Sequence, residues 1–285
     1  MTRLTFDRVG YRHTPTTSPI LGEVSFSLAR GELVGLFGRN GAGKSTLTRL
    51  AAGLLLPTSG RVEVAGLCTS TRDPEIQRRV GILFQEADRQ IVGVTVEEDL
   101  AFGPENLGME PALMRARVRA TAERLGLGAW LRRPVAELSG GMRQKLALGG
   151  VLVMDPDFLL LDEPTSQLDP WARREFWDLL LEVRRERGLG ILVVSPRPAE
   201  TDRLERALVL DGGRLAFDGP LADLWALPEP EVTAWGVRVP EGIRCQRLGF
   251  VSGQAWGLSP SGNPQDRPPG QEGPDQAGGG REATP

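Results

Sequence analysis

Lysine is almost missing from this chain. Of its 34 Lys and Arg residues only Lys44 and Lys145 are lysines, and the rest are arginines. Histidine occurs once, at His13, and cysteine twice, at Cys68 and Cys245. Two cysteines so far apart, with no metal-ligand spacing, argue against a disulfide framework or a cysteine-built metal site; two reduced thiols are the expectation. No apolar run approaches the ~20 residues that cross a bilayer. No signal peptide opens the chain. An excess of basic charge is lacking too: the net charge of −3 supplies no electrostatic reason to expect a nucleic-acid partner. A cytosolic protein is expected, with room for a membrane-bound partner.

What is present is ordinary in bulk and specific in detail. A chain of 285 residues, 40% hydrophobic and 25% charged, can bury one large α/β core, or a core and a small subdomain. One of its two lysines stands in a glycine loop, Gly38-Arg39-Asn40-Gly41-Ala42-Gly43-Lys44-Ser45-Thr46. This fits the phosphate-binding pattern G-x-x-x-x-G-K-[ST]. An apolar strand-like run, 32–37, precedes it and a helix-like run, 46–52, follows, which is the context the pattern requires. The glycines let backbone N–H groups wrap a phosphate at the positive end of a helix. Lys44 then reaches the β- and γ-phosphates, and the Ser45 hydroxyl can ligate Mg²⁺. In so arginine-rich a chain, a lysine there marks a site where a planar guanidinium would not fit.

The remaining candidates come in chain order. Residues 4–9 and 24–28 alternate apolar and polar, as half-buried antiparallel strands do. The loop between them carries Tyr11 and His13; either ring can stack on a nucleotide base, and a plain surface loop fits equally well. The apolar run 80–84 ends at Gln85, an amide that can touch Mg²⁺ or an attacking water. From about 96 to 153 helical periodicity takes over, with one amphipathic helix over 111–125. Within it Leu138-Ser139-Gly140-Gly141-Met142-Arg143-Gln144 opens a helix. A hydroxyl and two glycines at a helix start form a second anion-binding end, though alone they read as an ordinary cap. The run 158–161 then ends in Asp162 and Glu163, where Asp162 would hold the Mg²⁺ shell and Glu163 would orient the attacking water. Asp169 and Pro170 cap a long helix closed by Gly188. A buried strand over 190–194 and a hairpin through Asp211-Gly212-Gly213 follow. Order is expected to fade beyond about Pro228, and residues 259–285, rich in Pro, Gly and Gln, read as a disordered tail.

With these parts in this order the chain resembles an ATP-binding cassette (ABC) ATPase over roughly residues 3–225. The resemblance implies an α/β fold: a P-loop NTPase (RecA-like) core with an N-terminal antiparallel β-subdomain and an inserted α-helical signature subdomain. The cassette would span 1–227 with helices inserted over about 90–153, followed by an extension over 228–258. It implies ATP and Mg²⁺ as cofactors, Gln85 and Glu163 as catalytic residues, and Ser45, Gln85 and Asp162 around the metal. In that family two cassettes pair head to tail, so residues 138–144 would act in trans on a partner's ATP and Asp169 would belong to the D-loop. The stretches 84–90 and 95–106 are similar to the cassettes of energy-coupling factor transporters, which import vitamins and transition-metal ions. That similarity implies a second ATPase subunit, a transmembrane coupling protein, a substrate-binding membrane subunit and a peripheral place on the cytoplasmic membrane face.

Two positions depart from the family pattern. Where the family's switch histidine would contact the γ-phosphate this chain has Pro196, which lacks a side-chain donor and an N–H. Where close relatives place an aromatic ring for adenine stands His13, with Tyr11 as the substitute. The competing functions are a soluble ABC protein acting on nucleic acid or ribosomes and a non-catalytic ATP-binding subunit. Glu163 speaks against the second, and the acidic balance with a single cassette speaks against the first.

Overall fold

The protein is described by a computed structural model over residues 2–71, 73–194 and 198–248. A compact unit runs to Pro240, and a second unit begins at Glu241. The chain opens with β1 (Arg3–Tyr11) and β2 (Leu21–Ala29), followed by β3 (Leu33–Phe37), α1 (Lys44–Ala51), β4 (Ser59–Val64) and β5 (Leu67–Cys68). Then come α2 (Pro74–Arg79), β6 (Val80–Leu83), α3 (Val96–Asn106), α4 (Pro111–Arg124), α5 (Gly140–Leu152) and β7 (Phe158–Asp162). The order closes with α6 (Pro170–Arg187), β8 (Gly190–Val194), β9 (Arg206–Asp211), β10 (Arg214–Pro220), α7 (Leu221–Ala226) and α8 (Glu229–Ala234), while α9 (Glu241–Arg247) lies in the second unit.

Two sheets result, and their burial explains their strand types. The antiparallel sheet has the order β2-β1-β4-β5, with Phe6 opposite Phe26 and the two rings stacked 4.7 Å apart. Its strands alternate because one face meets the core. The larger sheet has the order β10-β9-β3-β8-β7-β6, with β3 parallel to both β8 and β9. Strands β3 and β8 are buried at every residue, as covered parallel strands must be. The parallel strands β6, β7, β8, β3 and β9 therefore deliver their carboxyl ends to one edge.

Helices α3, α4 and α5 build a core of their own from Val96, Leu100, Val118, Ala122, Leu125 and Leu146. Helix α3 starts at a capping box in which Thr95 and Glu98 each bond the other's backbone. The inserted helical subdomain expected from the sequence is present. Two expectations change. Tyr11 ends β1 rather than lying in the following loop. Order does not fade at Pro228, because Val232, Val237 and Val239 are buried, which carries the compact unit past the expected boundary at residue 227. Pro196 and the tail over 259–285 lie outside the described residues.

Candidate nucleotide site

The site is built where the apolar run of β3 ends. Gly43 caps α1 in the left-handed region at φ 102°, and a methyl group added there would stand 2.6 Å from Leu21 Cδ2. Only glycine lets the loop turn this tightly against the antiparallel sheet. Lys44 is 8% exposed, and its Nζ donates to the carbonyls of Gly38 at 2.8 Å and Arg39 at 2.9 Å. Burial pulls its pKa below the ordinary 10.5, while the charges of Glu163 and Asp162 push it back up. The lysine thus spans its own loop, with both donors' acceptors being backbone oxygens that a triphosphate would replace as partners.

Three further strands' ends supply the rest. The Ser45 hydroxyl donates to Asp162 Oδ2 at 3.0 Å, so the loop and the end of β7 meet where the sequence analysis places Mg²⁺. A hydroxyl, a carboxylate and an amide oxygen are hard ligands, and Mg²⁺ takes one or two carboxylates plus substrate phosphates. The residues fit that ion. Gln85, just beyond β6, donates from Nε2 to Glu163 Oε2 at 3.0 Å. Glu163 sits at φ 47°, a strained conformation for a residue with a side chain. Its N–H donates to the Val194 carbonyl at the end of β8, at 3.3 Å. The strain aims the carboxylate at Gln85 while Asp162 faces Ser45. Two adjacent acids therefore serve two different partners.

Other contacts around the site had no signal in the sequence. Gln90 accepts from Phe84 N–H and donates to the Ile82 carbonyl, both at 3.1 Å, which holds the turn carrying Gln85. Buried Glu200 accepts from the Thr165 hydroxyl, and Arg173 Nε approaches it at 3.7 Å. Arg173 also donates to the Leu168 carbonyl, beside Asp169. This network ties the segment after β7 to the start of α6.

The signature stretch is ordered but separate. Ser139 caps α5, its hydroxyl accepting from Met142 N–H at 3.3 Å, and no atom lies within 4 Å of a methyl group added at Gly140. Arg143 donates to the Leu138 carbonyl and pairs with Asp88 at 2.7 Å, and Gln144 is buried. Asp169 caps α6 by accepting from the N–H groups of Trp171 and Ala172. Among the described residues no hydrogen bond or ion pair joins 138–144 to 38–46. Tyr11 is 8% exposed, with its ring at 83° to that of His13, and His13 is exposed.

A largely parallel sheet with a glycine loop after β3 and paired acids at the end of β7 defines a P-loop nucleoside triphosphatase. The ABC transporter family matches residues 21–166, and the chain belongs to that family. It is 37% identical over 203 residues to the energy-coupling factor transporter ATP-binding protein EcfA1 of Caldanaerobacter subterraneus subsp. tengcongensis, covering 70% of this chain and 73% of the relative. It is 43% identical over 201 residues to the cobalt import ATP-binding protein CbiO of Syntrophus aciditrophicus, covering 70% and 71%. The solved structure of cbiO1 from Clostridium perfringens, described as part of the ABC transporter complex cbiONQ, superposes with a TM-score of 0.73 at 30% identity, covering 86% of this chain and 96% of that one. The chain is thus an ATP-binding subunit of the energy-coupling factor or cobalt-import type, with ATP hydrolysis coupled to transport as its activity. None of its described helices is long and apolar enough to cross a membrane.

Proposed function

We propose that this chain drives uptake of a vitamin or a transition-metal ion by docking on a transmembrane coupling protein, which works with a separate substrate-binding membrane subunit. The observation that carries the reading is an apolar groove of about 300 Å³ between the edge strand β6 and helix α3. Leu54, Val92 and Phe102 line it and stay 54%, 57% and 49% exposed, which is costly unless another surface covers them. Asp99 lines the same groove, accepting from the N–H groups of Val92 at 2.8 Å and Gly93 at 3.0 Å, and burial raises its pKa. Such a groove beside the Gln85 turn suits a partner that senses the nucleotide. The test is co-purification from detergent-solubilised membranes. The unaltered chain should bring an integral membrane protein with it, and Phe102→Glu should release that protein while ATP binding persists. Retention of the membrane partner by Phe102→Glu would remove the groove from the docking surface.

The nucleotide chemistry follows from the residues. The P-loop and Lys44 hold the triphosphate, Ser45, Asp162 and Gln85 would hold Mg²⁺, and Glu163 orients the water. The signature, open at Gly140, would close over ATP held by a second cassette. With Pro196 at the switch position, the partner cassette is a paralogue that keeps the histidine, so that one of the two sites is fully equipped.

A further inference from the structure

We propose that the segment 221–239 is a brace on the phosphate loop and that Gly236 is a positioning residue for ATP binding, an inference that rests on the nucleotide site described above. The segment is anchored at several points. Trp225 meets Phe37, the last residue before the loop, edge-on at 6.2 Å between ring centroids. Val232, Val237 and Val239 are buried, so the chain around Gly236 is held on both sides.

Gly236 leaves no room for a side chain against the loop itself. A methyl group added there would stand 2.4 Å from Arg39 Cγ, 3.3 Å from its Cβ and 3.2 Å from its Cα. The Cγ could swing aside, but the Cα could move only with the loop backbone. Gly236 also sits at φ 76°, where a side chain is strained.

Arg39 is the residue through which such a push would reach the lysine. Its carbonyl accepts both Lys44 Nζ at 2.9 Å and Ala42 N–H at 3.2 Å. Moving the Arg39 backbone therefore moves the lysine's anchor and the turn that presents the loop's N–H groups. Geometric errors of this size matter for a cradle that binds by aligned donors.

Titration of the purified full-length chain with a fluorescent ATP analogue tests the brace. Gly236→Ala should weaken affinity about tenfold, within the range that overpacking costs. Adding Arg39→Gly removes the Cγ at 2.4 Å and the Cβ at 3.3 Å but leaves the Cα at 3.2 Å, so it should restore part of the loss. In the unaltered chain, saturating ATP should slow backbone hydrogen exchange over 228–239, since coupling between two sites is reciprocal. Affinity unchanged in Gly236→Ala overturns the brace and leaves the nucleotide site standing. A loss that Arg39→Gly does not relieve assigns the effect to backbone strain alone and also overturns it. A variant that does not fold leaves the decision to exchange, where no slowing over 228–239 counts against the brace. An unaltered chain that binds no ATP overturns the site itself, and the brace with it.

Discussion

Lys44 carries a charge into a loop that is almost closed around it. Its two hydrogen bonds to Gly38 and Arg39 carbonyls offset part of the burial, and the nearby Glu163 and Asp162 offset more. Lys44→Ala removes the buried cation that bonds the loop's own carbonyls, so it should abolish most ATP affinity in the same titration; unchanged affinity would misplace the phosphate cradle. Asp99 poses the opposite problem, a carboxylate whose pKa is raised by burial despite two backbone donors. Its folded pKa lies above the ordinary 3.8, so the native state takes up the proton first as the pH falls. Ionised Asp99 therefore costs stability at neutral pH, and that cost disappears as the pH falls through the folded pKa. Asp99→Asn, which keeps an oxygen for Val92 and Gly93, should be at least as stable as the unaltered chain at pH 7. Its advantage should shrink toward pH 4 in thermal melts. A deficit at pH 7 that stays constant on acidification would contradict this.

Among the elements, the joint between β7 and α6 depends on Glu200. Three residues converge there: Thr165 and Glu200, both buried, and Arg173 from α6. Glu200→Ala leaves the Thr165 hydroxyl and the Arg173 guanidinium without that acceptor, a loss worth about 1–3 kcal/mol. Glu200→Gln should recover part of it, because an amide oxygen still accepts from Thr165. Denaturant titration distinguishes the two, and equal stability of Glu200→Ala and the unaltered chain would show that the network contributes nothing. The same joint positions Asp169 and the exposed first turn of α6, where Trp171 is 73% exposed.

On the scale of the whole molecule, the proposed reading gives one chain the parts of two half-sites. Ser45 bonds Asp162 and Gln85 bonds Glu163, while among the described residues no hydrogen bond or ion pair joins 138–144 to the phosphate loop. With Pro196 in place of the switch histidine, its own P-loop site is expected to hydrolyse slowly, with losses of the order of 10²–10⁴-fold for a missing positioning group. In the assembled transporter, Glu163→Gln should reduce transport less than the matching change in the partner cassette. The purified chain alone should be nearly inactive. Robust turnover by a homodimer of this chain would refute the asymmetry.

The glycine turn before α1, the strand end at Asp162 and the helix start at Ser139 were legible from residues alone. Each is a short stretch whose chemistry depends on local backbone: glycines that turn, a strand that ends, a helix that begins. The parallel core was legible for a related reason, since 33–37, 158–161 and 190–194 are apolar without alternation and must be covered on both faces. Contacts between distant segments were not. Nothing near Glu200 announces Thr165, nothing near Asp88 announces Arg143, and Gly236 reads as a loop glycine until Arg39 is found against it. Tyr11 was misplaced because a strand end and a loop start share the same composition, and only its neighbours bury it. The stretch past Pro228 is broken by Pro230, Gly236 and Pro240, yet Val232, Val237 and Val239 are buried. Local backbone chemistry follows from the order of residues; long-range packing is decided by which surfaces folding brings together.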